Sequence, residues 1–203
     1  MKTSIKNLIA TSIACLTLLV TAPLAKADTS NMTILKEVKK VNQVNVAGNV
    51  NLILVQSNEE QIKIYDNYYQ KNAYIQEKNG ELRISSYDKE TLTVVVYIKN
   101  LNSLTASDNA TVKTYGQFSS LELNVNLKDN AKAILNTNTI TLNTQLAGNS
   151  DLVLLGTSME YLASVNQSAK VNMDTFMAQT VEFKSKNNIS NPFSGLASAI
   201  VAD

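Results

Sequence analysis

Apolar residues in this chain recur at every second position, in short runs, along most of its length. Gln61-Ile62-Lys63-Ile64-Tyr65 alternates cleanly, as do Glu81-Leu82-Arg83-Ile84-Ser85 and the series Leu121, Leu123, Val125 and Leu127. A period of two is that of half-buried β-strands, whose successive side chains point to opposite faces. Val44-Asn45-Val46 and Asn51 to Val55 flank Gly48-Asn49, and Ala73 to Gln76 and Glu81 to Ser85 flank Asn79-Gly80. The Asn-Gly pair predicts a tight hairpin, because a type I′ turn needs positive φ at both central residues. Thr91 to Ile98 is almost continuously apolar and predicts a central strand. No segment after residue 27 supports a helix, so the predicted fold is all-β.

In the back half the alternation becomes a repeat. Small polar turns read Ser107-Asp108-Asn109-Ala110, Lys128-Asp129-Asn130-Ala131 and Ala147-Gly148-Asn149-Ser150, with a weaker copy at Asn166-Gln167-Ser168-Ala169. Short apolar strands lie on both sides of each turn. Ile140, Leu142 and Leu146 repeat the Leu121 series, and Val181 and Phe183 close it. Val112, Ala133-Ile134, Leu152 to Leu155, and Val171 with Met173 supply the second strands. A spacing of about 20 residues is that of a stacked-coil architecture, in which no single coil can bury its own apolar face. The pattern therefore predicts an antiparallel front sheet of about six strands leading into a short parallel solenoid, its rungs one strand spacing apart. Asn109, Asn130 and Asn149 are expected to be the structural turn residues, holding the left-handed backbone that asparagine tolerates.

Composition adds a location. Lys2 and Lys6, the apolar run Leu8 to Ala22, and Ala25-Lys26-Ala27 read as a secretory signal peptide with cleavage before Asp28. The domain expected to follow spans 28–190, with 191–203 as a C-terminal cap or loose tail. The single cysteine, Cys15, lies inside the apolar run, so the exported chain has no disulfide. Without Lys2, Lys6 and Lys26, 15 basic residues face 17 acidic ones, a net charge of −2. Arg83 is the only arginine, and nothing resembles a nucleic-acid footprint. No transmembrane segment is expected after signal cleavage. The implied location is across the inner membrane: periplasm, outer surface or extracellular space.

The chemistry is defined largely by what is missing. The chain has no histidine and no tryptophan. That removes histidine-assisted nucleophiles and the usual zinc sites. No glycine-rich phosphate loop occurs, and no cofactor is expected. Asp108 and Asp129 hold matched positions in consecutive turns, with Asp151 close by. Three readings of them stand: solvated turn formers, a cation site built from oxygen ligands, or an acid/base pair acting on polysaccharide. Tyr65, Tyr68, Tyr69 and Tyr74 crowd one loop and its flanks, and Tyr68 and Tyr69 mark a candidate binding surface.

The segments from Val44 to Val55 and from Leu82 to Ile98, together with the repeated turns from Ser107 to Ala169, resemble the head GIN domain of autotransporter adhesins. The resemblance covers roughly Val41 to Ser190. It implies a right-handed parallel β-helix-like domain, secreted or held at the bacterial surface, and it carries no catalytic residues across. The family's turns commonly read Gly-Ser-Gly. Here two read Asp-Asn-Ala, and Gly148-Asn149-Ser150 stays nearest the pattern. The expected function is a non-catalytic, adhesin-like binding module at the surface or in the periplasm, with a surface glycan or a protein as its ligand. The alternatives are a carbohydrate-active β-helix enzyme, lyase or hydrolase, and a structural envelope protein without a specific ligand.

Overall fold

The computed structural model describes residues 32–35, 40–65, 73–166 and 168–185. The signal peptide, Tyr68, Tyr69 and the tail 191–203 lie outside the described residues.

The front of the chain forms β1 (Met32–Leu35), β2 (Gln43–Gly48), β3 (Val50–Gln56), β4 (Gln61–Tyr65), β5 (Ala73–Lys78), β6 (Glu81–Ser86) and β7 (Leu92–Ile98). The back forms β8 (Ser103–Ala106), β9 (Thr111–Tyr115), β10 (Phe118–Leu127), β11 (Lys132–Leu146), β12 (Asp151–Val165) and β13 (Lys170–Ser185). No helix occurs among the described residues.

All thirteen strands join one sheet that curls into two layers. The first layer holds β5, β6, β2, β8, β10 and the C-terminal halves of β11, β12 and β13. The second holds β1, β4, β7, β3, β9 and the N-terminal halves of the same three long strands. Pairing along the stack is parallel: β2 with β6 and β8, β3 with β7 and β9, β10 with β8 and β11, β11 with β12, and β12 with β13. Antiparallel pairs are confined to β1–β4, β4–β7 and β5–β6. The front half is therefore mixed and not the antiparallel sheet expected, because β2 pairs parallel with β6 and β3 with β7. Its hairpins decorate the stack, while β2, β3, β6 and β7 are rungs of it.

The rungs are not stacked in chain order. The pair β2/β3 lies between β6/β7 on one side and β8/β9 on the other. From β10 onward each rung follows its predecessor, as the repeat predicted.

Strict alternation fills the space between the layers. Val44, Val46, Leu104, Val125, Leu127 and Leu142 point inward from the first layer. Leu52, Leu54, Val94, Val112, Leu135 and Leu152 do so from the second. All belong to one continuous hydrophobic core and are at most 2 % exposed. Each such side chain contributes about 1.5–3 kcal/mol on burial. The inward stripe of each layer is covered by the other, so the core exists only when both are stacked.

The Asn79-Gly80 hairpin forms as predicted, with φ of 54° and 80°. Tyr161 is fully buried, packed edge-on against Phe176 with ring centroids 5.4 Å apart. Its hydroxyl lies 3.0 Å from Thr144 Oγ1, which satisfies the one polar atom that its burial would otherwise strand.

Candidate binding face

The layers meet along a sharp corner built by the repeated turns. Ala110 N–H donates to Ser107 O at 3.2 Å and Ala131 N–H to Lys128 O at 3.0 Å, closing four-residue turns. The left-handed residue in them is Asp108 (φ 59°), Asp129 (φ 58°) and Gly148 (φ 69°), not the asparagine expected. Positive φ thus falls on the first central residue only, as in type II′ turns, where glycine is the usual choice. Asparagine follows at the second central position and does a different job. Asn130 Nδ2 donates to Asn109 Oδ1 at 3.3 Å, and Asn149 Nδ2 donates to Asn130 Oδ1 at 3.4 Å. Their backbone N–H groups also step along the stack, from Asn130 to Asp108 O and from Asn149 to Asp129 O. Asn109, Asn130 and Asn149 form an amide ladder along the corner.

The two corner aspartates are engaged by backbone. Asp108 Oδ2 accepts from Gly48 N–H at 3.0 Å, and Asp129 Oδ2 accepts from Asp108 N–H at 3.3 Å. Each carboxylate therefore ties its rung to the one below. Asp151 is not part of this corner: it opens β12, in register between Lys132 and Lys170. Among the described residues no three carboxylates come together as a metal site would need.

An open cleft of about 460 Å³ beside the β5–β6 hairpin is lined by Gln43, Gln76, Lys78, Asn79, Glu81 and Arg83. Glu81 is the one carboxylate in that lining. Arg83 grips it bidentately at 2.8 and 2.9 Å and holds its carboxyl below the usual range. A carboxylate kept ionised by its own partner is a poor proton donor.

The outward surfaces of the two layers differ. On the first layer, Asn45, Thr105, Asn126, Gln145 and Ser164 form one cross-strand row. The neighbouring row carries Asn143 Nδ2 donating to Asn124 Oδ1 at 3.0 Å. Amides and hydroxyls make up most of these rows, with Arg83 continuing the first and Leu162 the second.

On the second layer the corresponding row runs from Ile34 through Lys63, Val95, Ile53, Lys113 and Ile134 to Val153. Ile34 is 39 % and Ile134 40 % exposed. The adjacent row places Tyr97, Val55 and Tyr115 side by side, with Tyr115 76 % exposed. Lys63 Nζ stands 4.8 Å from the Tyr97 ring centre, a cation–π contact. Where the long strands bend toward the first layer, Leu121, Ile140, Met159 and Met177 are exposed as well. Two buried residues bracket each bend, Thr139 with Leu142 and Ser158 with Tyr161, so both residues between them face out. Ser158 Oγ reaches Glu160 O at 2.6 Å there. The bend thus pushes apolar side chains into solvent.

Of the crowded tyrosines, Tyr65 is half-buried on β4 and Tyr74 is half-exposed on β5. The aromatic pair on the outward row, Tyr97 and Tyr115, was not singled out by the sequence. The signal available was the run from Val94 to Tyr97, too apolar for a strand with one wet face.

A single curled, mixed sheet without helices among the described residues, most of its strands paired parallel, defines an all-β class of fold. The chain belongs to the family described as "putative auto-transporter adhesin, head GIN domain", whose model matches residues 41–188. Three solved structures share the fold. A putative adhesin from Parabacteroides merdae is 16% identical, with 76% of each chain covered and a TM-score of 0.64. A putative adhesin from Bacteroides fragilis is 19% identical over 76% of this chain and 75% of that one, with a TM-score of 0.62. A putative lipid binding protein from Parabacteroides distasonis is 12% identical over 76% and 77%, with a TM-score of 0.60. No curated protein matches the chain.

Proposed function

We propose that this protein is an exported, non-catalytic binding module of the cell envelope that engages its partner through the outward face of the second layer. One observation carries this reading. A rigid sheet exposes Ile34, Ile134 and Tyr115 in adjoining rows, where a layer facing only water would alternate to polar residues. Membership in an adhesin family agrees with a binding role. No helix among the described residues is long and apolar enough to cross a membrane.

Export is tested by mass spectrometry of the secreted or periplasmic protein, which is expected to begin at Asp28; an intact Met1 start would overturn it. The binding role is tested on a glycan and matrix-protein array, together with lipid spots, using residues 28–203. Capture is expected to be lost in Tyr115→Ser/Ile134→Ser and kept in Asn126→Ser/Gln145→Ser. Equal capture by both variants would remove the second layer's face from the mechanism.

A further inference from the structure

We infer that the outward face of the second layer docks on a lipid bilayer whose headgroups are anionic. The inference rests on the binding role proposed above and names the partner of that same face.

Three properties of the face point the same way. First, its apolar groups are held on a hydrogen-bonded sheet and cannot collapse inward, because the inward positions are already filled by the core. Second, the polar atoms on it are those of interfacial residues. Tyr97 and Tyr115 carry an apolar body with a wet hydroxyl. Lys63 and Lys113 carry long apolar stems that lie in register with Val95, Ile53 and Ile134. Such side chains bury the stem and keep the polar tip at the water boundary.

Third, the charge is distributed unevenly. The strands of this face present Lys63, Lys113, Lys132 and Lys170 outward, against Asp151 and Asp174. Asp151 is in register between Lys132 and Lys170. The face is thus positive on a chain that is net negative once residues 1–27 are set aside. Apolar area together with lysines is the combination by which peripheral proteins recognise anionic membranes.

A glycan platform would need amide or carboxylate groups around the aromatic rings, to bond hydroxyls. Here Tyr97 and Tyr115 flank Val55, with Gln61 the cross-strand partner of Tyr97, and the Asn124–Asn143 amide pair lies on the opposite layer. The contact is peripheral. A stack with free strand edges cannot enter the hydrocarbon, where unpaired backbone groups find no partner.

The experiment is vesicle co-sedimentation of residues 28–203 with phosphatidylcholine vesicles and with phosphatidylcholine–phosphatidylglycerol vesicles, at low and high salt. Melting curves confirm that each variant is folded. Binding to the anionic vesicles is expected, with weak binding to the neutral ones. Lys63→Gln/Lys113→Gln should weaken anionic-vesicle binding about thirty-fold and flatten its salt dependence, since each lysine near an anionic surface contributes about five-fold. Tyr115→Ser/Ile134→Ser should weaken binding to both vesicle types. Asn126→Ser/Gln145→Ser should change neither. No binding to anionic vesicles, or binding indifferent to the lysine and tyrosine variants, overturns the lipid assignment. If array capture of a glycan or protein still depends on Tyr115 and Ile134 in that case, the binding role stands and only the lipid partner falls. If neither assay depends on them, both readings fall.

Discussion

The two layers share one interior and present opposite exteriors. Inward, both alternate Leu, Ile and Val with equal strictness. Outward, the first layer repeats Asn, Gln, Thr and Ser, whereas the second repeats Ile, Val, Tyr and Lys. The first solves a problem common to stacked strands: like residues ladder on like, and amides bond each other along the stack, as Asn143 does with Asn124. The second leaves Ile34, Ile134 and Tyr115 of its rows exposed, which costs solubility and is what the proposed contact would cover. The core explains stability; the difference between the exteriors is what the proposed binding role rests on.

Four measurements test that division, starting with the largest effect. Leu142→Ala in the first layer and Leu135→Ala in the second, 0 and 1 % exposed, should each cost about 2–5 kcal/mol in chemical denaturation. A much smaller cost in one layer would mean that the layers do not share a single core.

Tyr161 gives the next effect. Burial pushes its phenol up to about 12, and the Thr144 hydrogen bond opposes that shift. An unfolded tyrosine ionises near 10, so as pH rises above about 10 the unfolded chain releases this proton first and stability falls until the folded pKa is passed. The loss should approach about 2–3 kcal/mol, at 1.36 kcal/mol per unit. In Tyr161→Phe that component of the pH dependence should disappear; an unchanged profile would show that Tyr161 is not buried neutral.

At the corner joining the layers, Asp129→Val should cost about 1–3 kcal/mol, because a β-branched residue is strained at φ 58°. Asn130→Val, at ordinary φ, should cost less and report only the lost amide ladder. Equal melting temperatures for the two would contradict the assignment of the left-handed position. Last, the paired surface variants of the two outer faces should each shift stability by less than about 0.5 kcal/mol. Any difference between them then appears in binding alone.

The inward pattern was legible in the sequence because period two reports which side chains share a face. It identified Ile62 and Ile64, Leu82 and Ile84, and Leu123, Val125 and Leu127, but Leu121 and Ile140 of the same series are exposed, and Asn79-Gly80 identified a hairpin. Period two does not report which strand lies next to which. Nothing in Val44-Asn45-Val46 distinguishes Leu82 from Leu104 as a neighbour, yet it has both. The corner was read one residue late because asparagine and aspartate both tolerate left-handed backbone, and the recurring letter was the asparagine. The proposed binding face was hidden for another reason. Ile134 and Val153 sit within Ala133-Ile134-Leu135 and Leu152-Val153-Leu154, and continuous apolar runs look like ordinary buried strands until the layer outside them is found to be missing.

The interleaved rungs also set an order of events during synthesis. When residues 43–56 leave the ribosome, β2 and β3 have no parallel partner. The first ones, β6 and β7, are complete only at Ile98, and the second ones, β8 and β9, at Tyr115. Pairings so distant in sequence are slow to form, because long loops must close first. The earliest part of the chain therefore waits as an open, unpaired segment while the later part is made. Once in place β2 and β3 are held on both sides, whereas β1, β5 and β13 have one neighbour each, so the edges open before the β2/β3 rung is released.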